Sequence, residues 1–272
     1  MNEKDRFNFG DNWADFLSNI DEKTISLATE SLVQNLQVSS LAGKSVLDIG
    51  SGSGLFSLAA HKLGAKVVSI DYDEASVACT RKIKEEFADN NANWEIMQGS
   101  VLDDAFMESL GEFDGVYSWG VLHHTGDMDN AIRLTSERVK PNGWMFIAIY
   151  NDQGTSSRIW LKIKQLYNRL PKVLRPPFVF LIAAYNETRF ALKRMLTLQS
   201  PLPPAYDEQH RGMSVWYDWV DWVGGLPFQV ATPEQIIQPL RAKGFILDKL
   251  ITIGHGWGCN EFVFHLDKSK IR

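Results

Sequence analysis

The chain has 272 residues, of which 44% are apolar and 22% are charged, a balance typical of a packed globular protein. Its formal net charge of −5 argues against a nucleic-acid partner, which a basic surface would bind. Two distant cysteines argue against a disulfide framework, and neither a signal peptide nor an apolar run of about 18 residues is visible, so we expect a cytoplasmic protein.

Short apolar runs alternate with helical patterns over the first half of the chain. Apolar residues at helical spacing predict a helix over residues 12–37. The following elements are predicted strands at 45–49, 66–70, 94–97, 113–118 and 144–150, and helices at 55–63, 74–87 and 129–139. Strands that alternate with helices at this spacing indicate βαβ units and a parallel sheet.

The alternation stops at residues 151–230, which are helical in places and rich in Trp, Tyr and Pro. It resumes at Thr232, where Thr-Pro-Glu-Gln is typical of a capping box that begins a helix ending near Lys243. Two last strands, 245–253 and 261–266, are joined by a glycine-rich turn and should pair antiparallel. We therefore predict an α/β fold whose seven-stranded, mostly parallel sheet has helices on both faces, an antiparallel last strand and a helical insertion.

A glycine-rich loop follows the first predicted strand. Gly50, Gly52 and Gly54 stand at alternate positions, where they let a ligand approach the main chain and present backbone N–H groups to it. A tight turn without a ligand is the alternative. A dinucleotide loop would place its third glycine at position 55, where Leu55 stands, so the spacing argues against a nicotinamide cofactor.

Asp71 ends the second predicted strand. A carboxylate at this place can accept hydrogen bonds from both hydroxyls of a ribose, and Tyr72 beside it could pack on an adenine ring. The alternative for Asp71 is a solvated helix cap.

Three stretches together resemble class I S-adenosylmethionine-dependent methyltransferases, in particular the ubiquinone- and menaquinone-biosynthesis type and other small-molecule methyltransferases. They are Val46–Gly54 with Asp71, Phe113–His124 and Val139–Trp144, and the resemblance covers about residues 40–150. It implies a Rossmann-like fold and methyl transfer from S-adenosylmethionine, with S-adenosylhomocysteine as product, to a small-molecule or lipid-like acceptor. The motifs are specific for the cofactor and weak for the acceptor.

The resemblance also implies a set of cofactor-binding residues at the carboxyl ends of the strands. They are Asp48, Gly50, Ser51, Gly52 and Gly54 around the methionine part, Asp71 and Tyr72 at the ribose and adenine, Ser100 and Val101 beside the adenine, Trp119 and Gly120 on the methionine side, and Trp13 closing over the cofactor. Many relatives carry an acid where Ser100 stands, and Asp103 could replace it.

On this basis four segments are predicted. They are an N-terminal helical lid at 1–40, a cofactor-binding core at 41–150, a basic and aromatic insertion that caps the acceptor at 151–230, and the end of the core sheet at 231–272.

Methyl transfer to a hydroxyl or an acidic carbon needs a base. His123 and His124 directly follow the fourth predicted strand, and His124 is the preferred candidate. An equally weighted alternative is a packed histidine bonded to a backbone carbonyl. Weaker candidates are His210, His255, Tyr150 and Glu261, and Cys259 is more typical of a small buried residue. Because no Cys/His cluster has metal-ligand spacing, we expect no metal.

The insertion carries an uneven charge. Residues 156–196 hold nine Lys or Arg and one acid, Glu187, interleaved with apolar residues. One interpretation is docking on an anionic membrane or holding a phosphorylated acceptor. The other, which we place slightly ahead, is a solvated helical cap whose apolar face covers the sheet or the second subunit of a homodimer. Aromatic residues at 206–230 predict an acceptor pocket wall or, equally, the core of the cap.

Two competing functions stay open. One is a methyltransferase that acts on a surface-polysaccharide or membrane intermediate, and the other is a non-catalytic module that binds the cofactor and regulates a partner.

Overall fold

The computed structural model describes residues 20–89, 93–197, 215–254 and 256–270. Its sheet has seven strands in the order β3-β2-β1-β4-β5-β7-β6. The strands are β1 (Ser45–Ile49), β2 (Lys66–Asp71), β3 (Trp94–Gln98), β4 (Phe113–Trp119), β5 (Val139–Tyr150), β6 (Phe245–Ile251) and β7 (Cys259–Leu266). β1 to β5 run parallel, and β7 is antiparallel to both of its neighbours. The predicted sheet is confirmed.

Nine helices accompany the sheet in the described residues. They are α1 (Glu22–Leu36), α2 (Leu55–Lys62), α3 (Glu74–Phe87), α4 (Asp104–Ser109), α5 (Met128–Ser136), α6 (Thr155–Arg169), α7 (Arg175–Leu196), α8 (Val215–Gly224) and α9 (Pro233–Ala242). A 3₁₀ turn at Leu122–His124 follows β4. None of these helices is long and apolar enough to cross a membrane.

The sheet forms because its central strands are apolar on both faces, as in other parallel sheets. In β1, four consecutive residues are buried. Leu47 joins one core cluster with residues of α5 and α9, whereas Val46 joins a second cluster with residues of α1, α2 and α3. Helices therefore cover both faces, and the loops at the carboxyl ends of β1 to β5 share one edge of the sheet.

The predicted helix over 129–139 is wrong at its end. The helix ends at Ser136, and Val139 already pairs with Phe113 in the sheet. Three extra residues then bulge from β5, with Asn142 in the left-handed region, before the pairing continues at Trp144. Pro-Asn-Gly is thus a bulge within a strand instead of the turn between a helix and a strand. The short helix α4 was absent from the sequence prediction.

The chain divides into two compact units. In the described residues, one holds the sheet with 20–153 and 227–270, and the other holds 154–226. The second unit contains only α6, α7, α8 and a 3₁₀ turn among its described residues, which agrees with the predicted break in the βαβ pattern. The segment limits at 40, 150 and 230 stay predictions.

Candidate functional site

The loop between β1 and α2 depends on its glycines. Gly50, Gly52 and Gly54 all have left-handed φ angles, of 76°, 55° and 87°. A Cβ on Gly50 would lie 2.4 Å from Cγ1 of Val121, the residue just after Gly120 at the end of β4. The backbone N–H groups of Gly50 and Ser51 donate to the carbonyl of Ile70 at 2.8 and 3.1 Å, which fixes the loop beside the end of β2.

Helix α3 supports this loop from the other side. A Cβ on Gly54 would lie 2.9 Å from the Cα of Thr80. The Thr80 hydroxyl donates to the carbonyl of Gly52 at 3.2 Å and lies 3.0 Å from the Ser51 hydroxyl. Gly54 therefore needs both its conformation and its lack of a side chain.

Asp48 lies beneath the loop in a buried polar chain. Its Oδ2 accepts a hydrogen bond from the Ser57 hydroxyl at 2.5 Å, and the Ser57 and Ser69 hydroxyls are 2.6 Å apart. Trp94 Nε1 donates to Ser69 at 2.8 Å. Burial raises the pKa of Asp48 to about 7, the Ser57 hydrogen bond opposes this shift, and the charge of Asp71 adds to it.

Asp71 ties the end of β2 to the glycine loop. Its Oδ2 accepts the backbone N–H of Gly52 and its Oδ1 accepts that of Asp73, both at 2.9 Å. The helix cap of α3 is Asp73, which accepts from the backbone N–H of Ser76, so the cap interpretation of Asp71 is wrong. A carboxylate oxygen can accept two hydrogen bonds, so these contacts do not exhaust the acceptor capacity of Asp71.

The next loop along this edge follows β3 at Gly99. A Cβ on Gly99 would lie 2.1 Å from the ring of Phe106, and its N–H donates to the carbonyl of Asp71 at 2.9 Å. Val101 is buried in the core, and the Ser100 hydroxyl accepts the N–H of Leu102 at 3.1 Å.

The candidate adenine contacts differ in their surroundings. Asp103, the suggested substitute for an acid at position 100, caps α4 by accepting the N–H of Phe106 at 3.0 Å. Tyr72 is 41% exposed.

Trp119 ends β4 on the face that α1 and α2 cover. Across the sheet it stands beside Ala148 of β5, which in turn pairs with Glu261 of β7. Because alanine is small, the Trp119 indole reaches over it, and its Nε1 donates to Glu261 Oε1 at 2.9 Å. The backbone of Gly120 is left-handed (φ 77°), and a Cβ there would meet nothing within 4 Å.

His123 and His124 are both buried in the 3₁₀ turn after β4. The N–H of Tyr150 donates to His123 Nδ1 at 3.4 Å, and the two rings lie 4.0 Å apart. His124 Nδ1 lies 2.5 Å from the carbonyl oxygen of Pro227, to which only a protonated Nδ1 can donate. In the neutral rings the lone pair is therefore on Nδ1 of His123, facing the backbone, and on Nε2 of His124.

Some predicted residues lie outside the described part of the chain, namely Trp13, His210 and His255. Cys259 is buried at the start of β7, as its small size suggested. Within the described ranges, no group of three or more His, Cys, Asp or Glu is close enough to hold a metal ion. Trp222 of the aromatic segment packs against Trp160 of the same helical unit, with ring centroids 5.5 Å apart.

A direct hydrogen bond joins the glycine loop to Asp71, whereas Asp48 is held by the hydroxyl of Ser57. The residues that support these groups were not among the sequence predictions. Val121, Thr80 and Ser57 hold the loop and its carboxylate, and Pro227 orients His124. Position 121 within the strand-four motif was the one available signal. The other partners carry none, because they lie 9 to 103 residues away in sequence.

Curated relatives match part of the chain. The ubiquinone biosynthesis O-methyltransferase of Thiobacillus denitrificans is 32% identical over 116 residues, which is 43% of this chain and 48% of that protein. A protein with the same description from Pseudomonas fluorescens is 37% identical over 112 residues, 41% of this chain and 46% of its own length. The chain therefore matches about half the length of these relatives.

Solved structures share the fold. A magnesium protoporphyrin IX methyltransferase from Synechocystis with bound SAH superposes with a TM-score of 0.52 at 16% identity, covering 94% of each chain. An O-methyltransferase family protein from Burkholderia thailandensis gives a TM-score of 0.54 at 14% identity, covering 89% of this chain and 57% of its own. The family model described as "Methyltransferase domain" matches residues 21–218, so this chain belongs to the methyltransferase domain family.

Proposed function

We propose that this protein is an S-adenosylmethionine-dependent methyltransferase that methylates an oxygen of a small-molecule acceptor. The observation that carries the proposal is the hydrogen bond from the Gly52 N–H to Asp71, which joins a glycine cradle to a ribose-type carboxylate. Family membership and the O-methyltransferase relatives support it.

The residues present suit an adenosyl cofactor. Three left-handed glycines let the loop turn tightly at the carboxyl end of β1, and the switch point between β1 and β4 is where open α/β sheets hold ligands. The bound cofactor would supply a methyl group on a sulfonium, which needs no further activation. What this chain must do is bind, orient and exclude water.

We assign the contacts along the sheet edge as the sequence analysis predicted them. The loop and Asp48 would hold the methionine part, Asp71 the ribose hydroxyls, and the exposed ring of Tyr72 the adenine. Further contacts proposed on the same grounds are Ser51, Gly54, Ser100, Val101, Trp119, Gly120 and Trp13.

His124 is the proposed base. With Nδ1 donating to Pro227, its Nε2 carries the lone pair that could take a proton from an acceptor hydroxyl. His123 is a poorer base because its Nδ1 accepts the N–H of Tyr150. We propose that His123 instead positions the turn after β4.

A binding titration tests the cofactor assignment. Asp71→Asn should weaken the affinity for S-adenosylhomocysteine about tenfold to a hundredfold, the usual value of a hydrogen bond to a charged group. Asp21→Asn is the matched control, because Asp21 caps α1 and asparagine caps equally well. Equal affinity in both variants would contradict the role given to Asp71.

A kinetic comparison tests the base. His124→Gln should lower kcat about 10²- to 10⁴-fold and leave cofactor affinity unchanged, while His265→Gln, at an exposed histidine of β7, should change neither. An unchanged kcat in His124→Gln would leave the structural interpretation of His124 standing.

The competing assignment as a regulatory module has its own measurement. A purified protein that binds S-adenosylhomocysteine but transfers no methyl group to any hydroxylated acceptor would point to the regulatory module. For the partners, we propose peripheral membrane contact through 156–196, supported by its charge, and cytoplasmic location. A homodimer is the competing proposal for that segment.

A further inference from the structure

The outward face of α7 carries a row of exposed apolar side chains. Leu181, Tyr185, Leu192 and Met195 follow one another at steps of four, seven and three residues, which places them on one side of the helix. Their exposed fractions are 66%, 62%, 54% and 56%. Large side chains that are this exposed and aligned mark an interaction surface.

The opposite side of α7 already has its partners within the helical unit. Val179 and Asn186, seven residues apart, are buried, and Phe178 contacts the ring of Tyr167 in α6. The outward row is therefore a second apolar face, beyond what the unit needs for its own core.

Two cations flank this face on α7 itself, Arg189 and Lys193, which are one turn apart and exposed. Four more cations of the same helical unit are exposed on α6 and the turn that follows it, namely Arg158, Lys162, Arg169 and Lys172. Glu187 is the one acid between residues 156 and 196. An apolar row beside exposed cations is the pattern of a helix that lies in the interface of a bilayer with anionic lipids.

We propose that the outward face of α7 docks on an anionic membrane surface. A helix of 22 residues is about 33 Å long and would lie in the plane of the membrane, with its apolar row about 5–10 Å below the headgroups. The cations beside it would contact the lipid phosphates. The exposed apolar row favours a lipid partner for this segment, whereas the charge of the sequence alone left the partner open.

A second copy of the chain suits this face poorly. The exposed cations of the segment would oppose the same set in the other copy; six of them are Arg158, Lys162, Arg169, Lys172, Arg189 and Lys193. An anionic membrane complements the same charges. The inference rests on the proposed function in one point only, namely that docking would bring the enzyme to a lipid-borne acceptor. Docking itself is measured without methyl transfer.

Vesicle flotation tests the proposal. The purified chain should float with vesicles of equimolar phosphatidylglycerol and phosphatidylcholine and stay behind with phosphatidylcholine alone. The double variant Leu181→Gln with Leu192→Gln should lower the partition constant for anionic vesicles about tenfold or more, because two exposed leucines lose their apolar contact with the lipid. The matched control is Leu27→Gln with Leu250→Gln, which are also exposed but lie in the sheet unit.

A charge series completes the test. Arg189→Gln with Lys193→Gln should weaken binding about fivefold for each cation, and Lys23→Gln with Lys66→Gln, which removes the same charge elsewhere, should not. Salt at about 1 M, where the Debye length falls to about 3 Å, should reduce binding of the unaltered protein.

Three results would overturn the proposal. The first is no flotation with anionic vesicles, and the second is equal binding by the α7 variants and their controls. The third is an unaltered protein that is dimeric and binds no vesicles, together with a Leu181/Leu192 variant that is monomeric. Titration of the same preparations with S-adenosylhomocysteine distinguishes failure of the docking proposal from failure of the proposed function.

Discussion

Replacing Asp48 by asparagine should remove a pH dependence from the stability of the protein. Asp48 lies beneath the glycine loop with 3% of its surface exposed, and burial raises its pKa from 3.8 to about 7. An asparagine at this position has nearly the same shape, and its amide oxygen can accept the hydrogen bond from Ser57. It cannot ionise.

The magnitude follows from proton linkage. Because the pKa is higher in the folded state than in the unfolded chain, the folded state holds the proton more tightly, and stability is lost as the pH rises from about 4 through about 7. The loss is about 1.4 kcal/mol per pH unit within this window. As the pH rises from about 5.5 to about 8, the ionisation of Asp48 alone should lower the free energy of unfolding by about 2 kcal/mol.

Urea unfolding of the ligand-free protein at several pH values measures this cost. The difference in unfolding free energy between Asp48→Asn and the unaltered protein should change by about 2 kcal/mol over that range, in favour of the variant at high pH. Since other titrating groups are shared, they cancel in the difference. If the two curves run parallel, the carboxyl is not buried as an acid with a raised pKa, and the account of the network with Ser57 fails.

Three further predictions follow from single contacts. Gly50→Ala should cost about 1–3 kcal/mol more in stability than Gly43→Ala, because both have φ 76° but only Gly50 faces a side chain within 3 Å; urea unfolding compares them, and equal costs would contradict the close packing. Burial lowers the pKa of Lys164 to about 7, so the cost of burying its charge disappears as the pH rises and the unfolding free energy should increase by about 2 kcal/mol between about pH 7 and 9. Lys164→Met should abolish this increase. An increase that persists in the variant would come from another group. Glu261→Ala and Trp119→Phe should each weaken S-adenosylhomocysteine binding. Because the two residues share one hydrogen bond, the double variant should lose less binding free energy than the sum of the single losses, by about 0.5 kcal/mol or more. Fully additive losses in calorimetry would show that Glu261 does not position the indole.

The sheet and the loop could be predicted because their signals are local. Strands that are buried on both faces appear as short apolar runs, and a backbone that must turn through left-handed conformations requires glycine at Gly50, Gly52 and Gly54. The prediction failed at Pro141-Asn142-Gly143, since a turn-forming sequence also suits a bulge, and only the pairing of Val139 with Phe113 distinguishes the two.

The chemistry of the site depends on contacts between distant positions. Ser57 looks like any helix residue until β2 and β3 bring Ser69 and Trp94 beside it, and the raised pKa of Asp48 follows from burial that only the folded chain shows. In the same way, the sequence names two adjacent histidines but cannot tell their tautomers apart. Pro227, which lies 103 residues from His124, decides which nitrogen of that ring carries the lone pair.

The most direct test of the central claim is a calorimetric titration of the ligand-free protein with S-adenosylhomocysteine. We expect saturable binding to one site per chain and, at about a hundredfold excess over the dissociation constant, a stabilisation of about 2.7 kcal/mol that raises the melting temperature. A folded protein that shows neither heat of binding nor a melting shift at about 1 mM ligand, the upper end of ordinary enzyme affinities, would contradict the cofactor site at the glycine loop.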